Sequence, residues 1–324
     1  MNTKTEAIIE EGKLDFLWLE LTSRCNLRCV HCYAESEPLP PSADILKLSD
    51  YQDILKSAAT LGCRQVQFIG GEPTLFPDLR LLIEQAHRLG YDFIEVFTNA
   101  TRINDDLLNC FVTNKVNIAV SFYSHKPDVH DEITQKSGSH AHTLKTIIRF
   151  LAAGLQVRAG IIVMPQNKND VEETKQFLTS LGVQNIGLDR VRAIGRGDST
   201  GKHDEKSGLT ELCGSCWKGS VCVSPDGTVS PCIMSKKWNI GSVMTSDFGE
   251  LVRSAALQAI RKRIYNDVWV PEMASLESSP TRGADECYPN CNPRCSPSCD
   301  PINNCNPRNQ CNPNLYCGPC YPGK

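Results

Sequence analysis

The chain reads as a parallel α/β fold that runs into a small cysteine-rich unit of β-hairpin and helix. Three features of the sequence predict this. Between Leu14 and Asp189, short apolar runs alternate with amphipathic stretches, the signature of repeated strand–helix units. Several of the amphipathic stretches stop at a glycine, at Gly62, Gly90, Gly154 and Gly182, where a helix needs a left-handed residue to end. Beyond residue 212 the composition changes to clustered cysteines around the strong turn Pro225-Asp226-Gly227-Thr228.

In chain order, residues 1–13 are polar and read as a loose N-terminal arm. The strands are expected at 16–21, 65–69, 93–98, 116–121, 157–163 and 185–189. The helices are expected at 49–61, 78–89, 104–110, 140–153 and 170–181, the first capped by Ser49. A cysteine loop replaces the first strand-to-helix connection, and Pro40-Pro41 marks a long insert before the first helix. These units make one domain over 14–189. Residues 190–212 are polar and glycine-rich and read as a linker. A second unit spans 213–286, with its hairpin followed by a helix over 248–264. The tail, 287–324, is separate in composition.

The 324 residues carry a net charge of −3. So balanced a chain has no bulk affinity for nucleic acid or membrane. The start of the chain lacks the apolar core of a signal peptide, and no apolar run is long enough to span a bilayer. Seventeen cysteines in such a chain point to metal or redox chemistry rather than to a disulfide framework. The expected compartment is a reducing cytoplasm.

The chemistry begins at Cys25-Asn26-Leu27-Arg28-Cys29-Val30-His31-Cys32. Three thiolates this close on one loop can hold three corners of a [4Fe–4S] cube, leaving one iron without a protein ligand. The alternative is a zinc site, for which His31 is awkwardly wedged between Val30 and Cys32. A CxxxCxxC loop after the first strand, with an aromatic residue before its last cysteine, resembles the radical S-adenosylmethionine (SAM) superfamily over most of residues 14–245. The resemblance implies a six-unit open (β/α) barrel. It implies that Cys25, Cys29 and Cys32 hold a [4Fe–4S] cluster whose free iron chelates SAM, and that reductive cleavage of SAM gives a 5′-deoxyadenosyl radical.

Further motifs follow from the same resemblance. Gly70-Gly71-Glu72-Pro73 stands where the family's GGEP segment meets the amino group of SAM, although an ordinary strand-to-helix turn would also use Gly-Gly. Asn99, in Thr98-Asn99-Ala100, and Ser121 close the third and fourth strands, where relatives reach the SAM carboxylate or ribose. Residues 161–164, Ile161, Val163 and Met164 among them, are expected to flank the adenine. His130-Asp131-Glu132-Ile133-Thr134 resembles a His-Asp-x-Ile-Arg segment, with Thr134 in place of the arginine. Asp189, ending the sixth strand, is a candidate catalytic carboxylate at the barrel rim, and a structural ion pair is its alternative. Cys63 and Cys110 read as small buried hydrophobes.

In the second unit, Cys213, Cys216, Cys222 and Cys232 lie around the predicted hairpin. Four such thiols can close a shell around a [4Fe–4S] cluster or a zinc ion. The spacing from Cys216 through Gly227 to Cys232 resembles the SPASM/Twitch auxiliary-cluster group, which implies at least one auxiliary [4Fe–4S] cluster. The tail holds Cys287, Cys291, Cys295, Cys299, Cys305, Cys311, Cys317 and Cys320 among eight prolines and eight asparagines in 38 residues. It lacks the aliphatic side chains to fold on a core of its own. It could supply a second auxiliary cluster, a zinc module or a metal-scavenging segment.

The resemblance implies an enzyme that takes its electron from reduced flavodoxin or ferredoxin. It also implies a substrate that is most often a ribosomally made peptide. Only about 15 residues precede the first strand, so peptide recognition is expected to use the barrel, the cysteine-rich end or a separate leader-binding protein. The alternatives are radical modification of a small molecule (sugar, nucleoside or amino acid) and a non-catalytic metal-binding scaffold.

Overall fold

The computed structural model describes residues 10–38, 44–198 and 208–277. The six expected strands form as β1 (Phe16–Glu20), β2 (Gln65–Ile69), β3 (Phe93–Thr98), β4 (Asn117–Ser121), β5 (Val157–Val163) and β6 (Asn185–Arg190). Each pairs in parallel with the next. Every residue of β1 and β2 is buried, as expected of a parallel sheet covered on both faces.

The outer layer comprises α1 (Leu48–Thr60), α2 (Leu79–Arg88), α3 (Asp105–Thr113), α4 (Pro127–Thr134), α5 (Ser139–Ala152) and α6 (Val171–Ser180). In α1, Tyr51, Ile54, Leu55 and Ala58 fall on one stripe and are buried. Each large member of such a stripe contributes about 2 kcal/mol by leaving water. Ser49 is not the cap of α1. The helix starts one residue earlier, and the Asp50 carboxylate accepts the Lys47 N–H at 2.7 Å. The short α4 was not expected from the sequence.

The hairpin forms as β7 (Ser220–Val223) and β8 (Thr228–Ser230), with β9 (Gly241–Ser242) beyond it. It continues the main sheet, because β7 lies parallel to β1 with Phe16 opposite Ser220 and Trp18 opposite Cys222. The nine strands run β6-β5-β4-β3-β2-β1-β7-β8-β9. The helix expected over 248–264 is two helices, α7 (Phe248–Arg253) and α8 (Ala255–Ile264). Ser254 divides them: its backbone is extended, and its hydroxyl accepts the Leu257 N–H at 3.2 Å. A π-helical turn (Tyr265–Trp269) leads from α8 into α9 (Val270–Glu277). Arg261 of α8 is buried and donates to the carbonyl of Ser220, docking the helix on β7. Among the described residues no helix is long and apolar enough to cross a membrane.

Candidate active site

The cysteine loop leaves the end of β1 and is gripped from three directions. From the β2 side, Gly71 donates to the Thr22 carbonyl at 2.7 Å and Glu72 donates to that of Arg24 at 2.8 Å. From α4, the carbonyls of Ile133 and Thr134 accept the N–H groups of Val30 and Arg28 at 3.0 and 3.2 Å. From the turn after β6, Arg196 donates its backbone N–H to Cys32 O at 3.0 Å, Nε to Cys29 O at 2.8 Å and Nη2 to Ser36 O at 3.0 Å. Gly195 (φ +56°) lets that turn close in, since a Cβ there would lie 2.4 Å from the Tyr33 carbonyl. Residues 195–197, read from the sequence as part of a linker, therefore brace the loop.

The Gly70-Gly71 pair serves the same packing. A Cβ on Gly71 would lie 2.2 Å from the Arg24 carbonyl oxygen, so this close backbone approach is to the cysteine loop. Glu72 is 1% exposed. Its carboxylate accepts the Thr74 N–H and hydroxyl at 3.1 and 2.7 Å, the Thr98 hydroxyl at 2.6 Å and the Asn99 N–H at 2.8 Å. Burial pushes its pKa up and these donors pull it back. Glu72 thus ties β2 to β3.

A cavity of about 220 Å³ opens at the C-terminal ends of the strands. Cys25, Cys29 and Cys32 all line it, with Gly70, Gly71, Asn99, Ser121, Ile161 and Asp189. Strands β2 to β6 all contribute to its wall, with Ile233 and Met234 from beyond β8, so the sheet curls around it. Glu72, Pro73, Val163 and Met164 are not in this wall. Val163 lines a second cavity, shared with Leu188, Cys213 and Val268, and Met164 packs with Tyr123 and Ile133. Asn99 Nδ2 donates to Asn26 Oδ1 at 2.8 Å and lies 3.7 Å from Cys25 Sγ. Asp189 is held by Arg192 at 2.9 and 3.0 Å. Thr134 is buried and bonds the Ser139 hydroxyl at 2.6 Å.

Burial governs the electrostatics of the loop. Burial above all pushes Cys25 and Cys29 up to about 12; the charge of Glu72 adds to this at Cys25, and that of Cys32 at Cys29. The same burial, with the Arg196 charge, lowers His31 to about 4. A cation at this point would reverse the balance and ionise the thiols. The His31 ring meets Tyr123 edge-on at 4.9 Å.

In the second unit, Cys213, Cys216, Cys222 and Cys232 are all at most 4% exposed. The neighbouring Cys213 and Cys232 thiols, with burial, push the Cys216 thiol up. Cys63 and Cys110 are buried in the main core, as expected. All eight tail cysteines lie outside the described residues.

The description "Radical SAM superfamily" fits residues 19–178, and that of SPASM, "Iron-sulfur cluster-binding domain", fits residues 213–296. The chain belongs to the radical SAM superfamily. It is 27% identical over 267 residues to the antilisterial bacteriocin subtilosin biosynthesis protein AlbA of Bacillus subtilis, a match covering 72% of this chain and 58% of AlbA. It is 28% identical over 174 residues to GTP 3′,8-cyclase of Aquifex aeolicus, covering 52% of this chain and 54% of the cyclase. These matches span little more than half the length of either relative. Among solved structures, Streptococcus suis SuiB bound to S-adenosylmethionine shares the fold, with a TM-score of 0.63 at 14% identity over 77% of this chain and 68% of SuiB.

A radical SAM domain takes SAM and a [4Fe–4S] cluster, and a SPASM domain takes auxiliary iron–sulfur clusters. The residues present fit the first group: three thiols face one cavity deep enough for a ligand beside them. They fit the second: four thiols around the hairpin are buried. Among the described residues no three His, Cys, Asp or Glu side chains converge as ligands of a single ion would.

Sequence reasoning missed Arg196, Tyr123 and α4. The signal for Arg196 was the flanking Gly195 and Gly197, read only as flexibility. For α4 it was Pro127 at a first helical position.

Proposed function

We propose that this chain is a radical SAM enzyme that modifies a peptide, with Cys25, Cys29 and Cys32 as ligands of the SAM-binding cluster. The observation that carries the reading is the meeting of these three thiols with Gly70, Gly71, Asn99 and Ser121 on one cavity. When bound, the cluster and SAM supply reductive cleavage to a 5′-deoxyadenosyl radical, with the electron drawn from a reduced flavodoxin or ferredoxin. The chain's own part is to orient and to exclude water. The β2 turn, α4 and Arg196 fix the loop that presents the thiols. Asn99 and Ser121 offer polar groups to a bound SAM, and Ile161 offers an apolar wall. The apolar residues behind the wall keep solvent from the radical.

The peptide substrate is supported by AlbA, a bacteriocin biosynthesis protein matched over 72% of this chain. The matched GTP 3′,8-cyclase favours a second reading, a small-molecule substrate. The anaerobically reconstituted protein, given SAM, dithionite and either candidate precursor peptides or GTP, tests both. The expected outcome is 5′-deoxyadenosine together with a mass change in a peptide. A product from GTP would favour the second reading. Bound iron with no 5′-deoxyadenosine would leave a metal-binding scaffold.

A further inference from the structure

Two glycines stand side by side in the wall of the main cavity. Gly160 of β5 and Gly187 of β6 are register partners, and both line it. On β5, Val157 and Ala159 are buried, whereas Arg158 and Gly160 are only half-buried. Alternate residues of a strand share a face, so Arg158 and Gly160 lie on the cavity side. Asp189, two residues beyond Gly187, shares that side from β6.

A glycine inside a strand weakens it. It is found there for a bulge, for a special backbone angle, or for the close approach of a ligand or another backbone. The register of β5 with β6 runs unbroken from Arg158 opposite Asn185 to Val163 opposite Arg190, so there is no bulge. Neither glycine has a left-handed φ. Neighbouring backbone does not demand them either. Among the described residues, a Cβ on Gly187 would have the Ala159 carbonyl oxygen as its nearest contact, at 3.9 Å, and one on Gly160 would meet Phe97 Cζ at 3.6 Å. Both are ordinary van der Waals distances. Alanine would fit at either position and would strengthen the strand. What the two glycines provide is room on the cavity side.

The charges around this slot are already paired. Arg158 is held by two bonds of 2.8 Å to Glu95, and its guanidinium lies 5.2 Å from the centroid of the Phe97 ring. Asp189 is held by Arg192. The slot therefore offers glycine backbone and the tip of the Phe97 ring rather than an uncompensated charge. Inward-facing residues along a strand are about 6.6 Å apart, so one row without side chains leaves a gap about as wide as an aromatic ring. Such surfaces suit a flat, uncharged ring.

We propose that Gly160 and Gly187 form the floor of a substrate subsite that takes an uncharged aromatic side chain of the peptide, with Phe97 as its wall. The proposal rests on the peptide reading above and names the side chain that the site selects.

The test uses the full chain, reconstituted anaerobically and saturated with SAM, with no reductant added. The probe is N-acetyl-L-phenylalaninamide, followed by saturation-transfer NMR, with N-acetyl-L-alaninamide and N-acetyl-L-lysinamide for comparison. The ring protons of the first are expected to receive saturation. Its dissociation constant is expected to rise about tenfold in Gly187→Val, roughly the contact of one ring lost. Gly187→Ala adds only a methyl; it is expected to weaken binding less and to unfold at a urea concentration no lower than the parent's. A Gly187→Ala protein that unfolds earlier than the parent would overturn the proposal, since the glycine would then serve packing. So would a probe displaced by SAM, held equally by the parent and Gly187→Val, or bound no better than the comparison amides. None of these readings needs turnover. Modification of a peptide with no aromatic requirement would sink the subsite alone, whereas a product from GTP beside an intact probe response would sink only the peptide reading.

Discussion

Gly71→Ala isolates the packing of the β2 turn on the cysteine loop. The added methyl would lie 2.2 Å from the Arg24 carbonyl oxygen and 2.6 Å from its carbon, both backbone atoms, so the two segments must separate. Separation breaks the bonds from Gly71 to Thr22 and from Glu72 to Arg24. Two backbone hydrogen bonds are worth about 1 kcal/mol each, and overpacking adds roughly 1–3 kcal/mol. The expected loss is about 3–5 kcal/mol in urea unfolding, with less iron bound at the first site. Gly62→Ala is the control. Gly62 has φ +91° and nothing within 4 Å of a new Cβ, so only backbone strain of about 1–2 kcal/mol applies and iron content stays at the parent's. A Gly71→Ala protein as stable as Gly62→Ala, with full iron, would refute the close-approach argument.

Three further outcomes follow from particular contacts. Glu72→Gln turns an amide donor toward the donors of Thr74, Thr98 or Asn99. It should cost about 2 kcal/mol, and unchanged urea stability would contradict this. Lys236→Met leaves the Glu20 carboxylate, 1% exposed, without its cation. Because Lys236 is itself 39% exposed, the expected loss is about 2 kcal/mol, below that of a fully buried pair. Adding Glu20→Gln should recover much of it in a double-mutant cycle. Burial, then the neighbouring His140 charge, lowers His130 to about 4. The unfolded chain thus takes up this proton first, so the His130 contribution is complete above about pH 6.5 and fades toward pH 4. Between pH 7 and 5 it amounts to about 2 kcal/mol. His130→Asn keeps an acceptor for the Tyr123 N–H and should remove that part of the pH dependence.

The strand frame was legible because each strand of the parallel sheet is a short buried run between amphipathic helices. Gly62 and Gly154 sit at helix ends with φ +91° and +75°, as their positions implied. The spacing of the first cysteine loop drew attention to it, and Cys25, Cys29 and Cys32 do line one cavity. What escaped was long-range. The Arg196 bonds to Cys29 and Ser36 cross more than 150 residues of sequence and leave no local periodicity. The eight residues of α4 carry only Val129 and Ile133 as aliphatics, too few for a helical repeat. The bonds of the Glu72 carboxylate to Thr74, Thr98 and Asn99 join β2 to β3 and likewise have no local signature. The parallel pairing of β7 with β1 joins strands some 200 residues apart, so it could not be read from spacing.

The most direct measurement is the EPR spectrum of the reduced, iron-loaded protein with and without SAM. The account requires a signal that SAM shifts, and that disappears in Cys25→Ala/Cys29→Ala/Cys32→Ala while an auxiliary signal persists. A spectrum indifferent to SAM, or one left whole by the triple substitution, would contradict it.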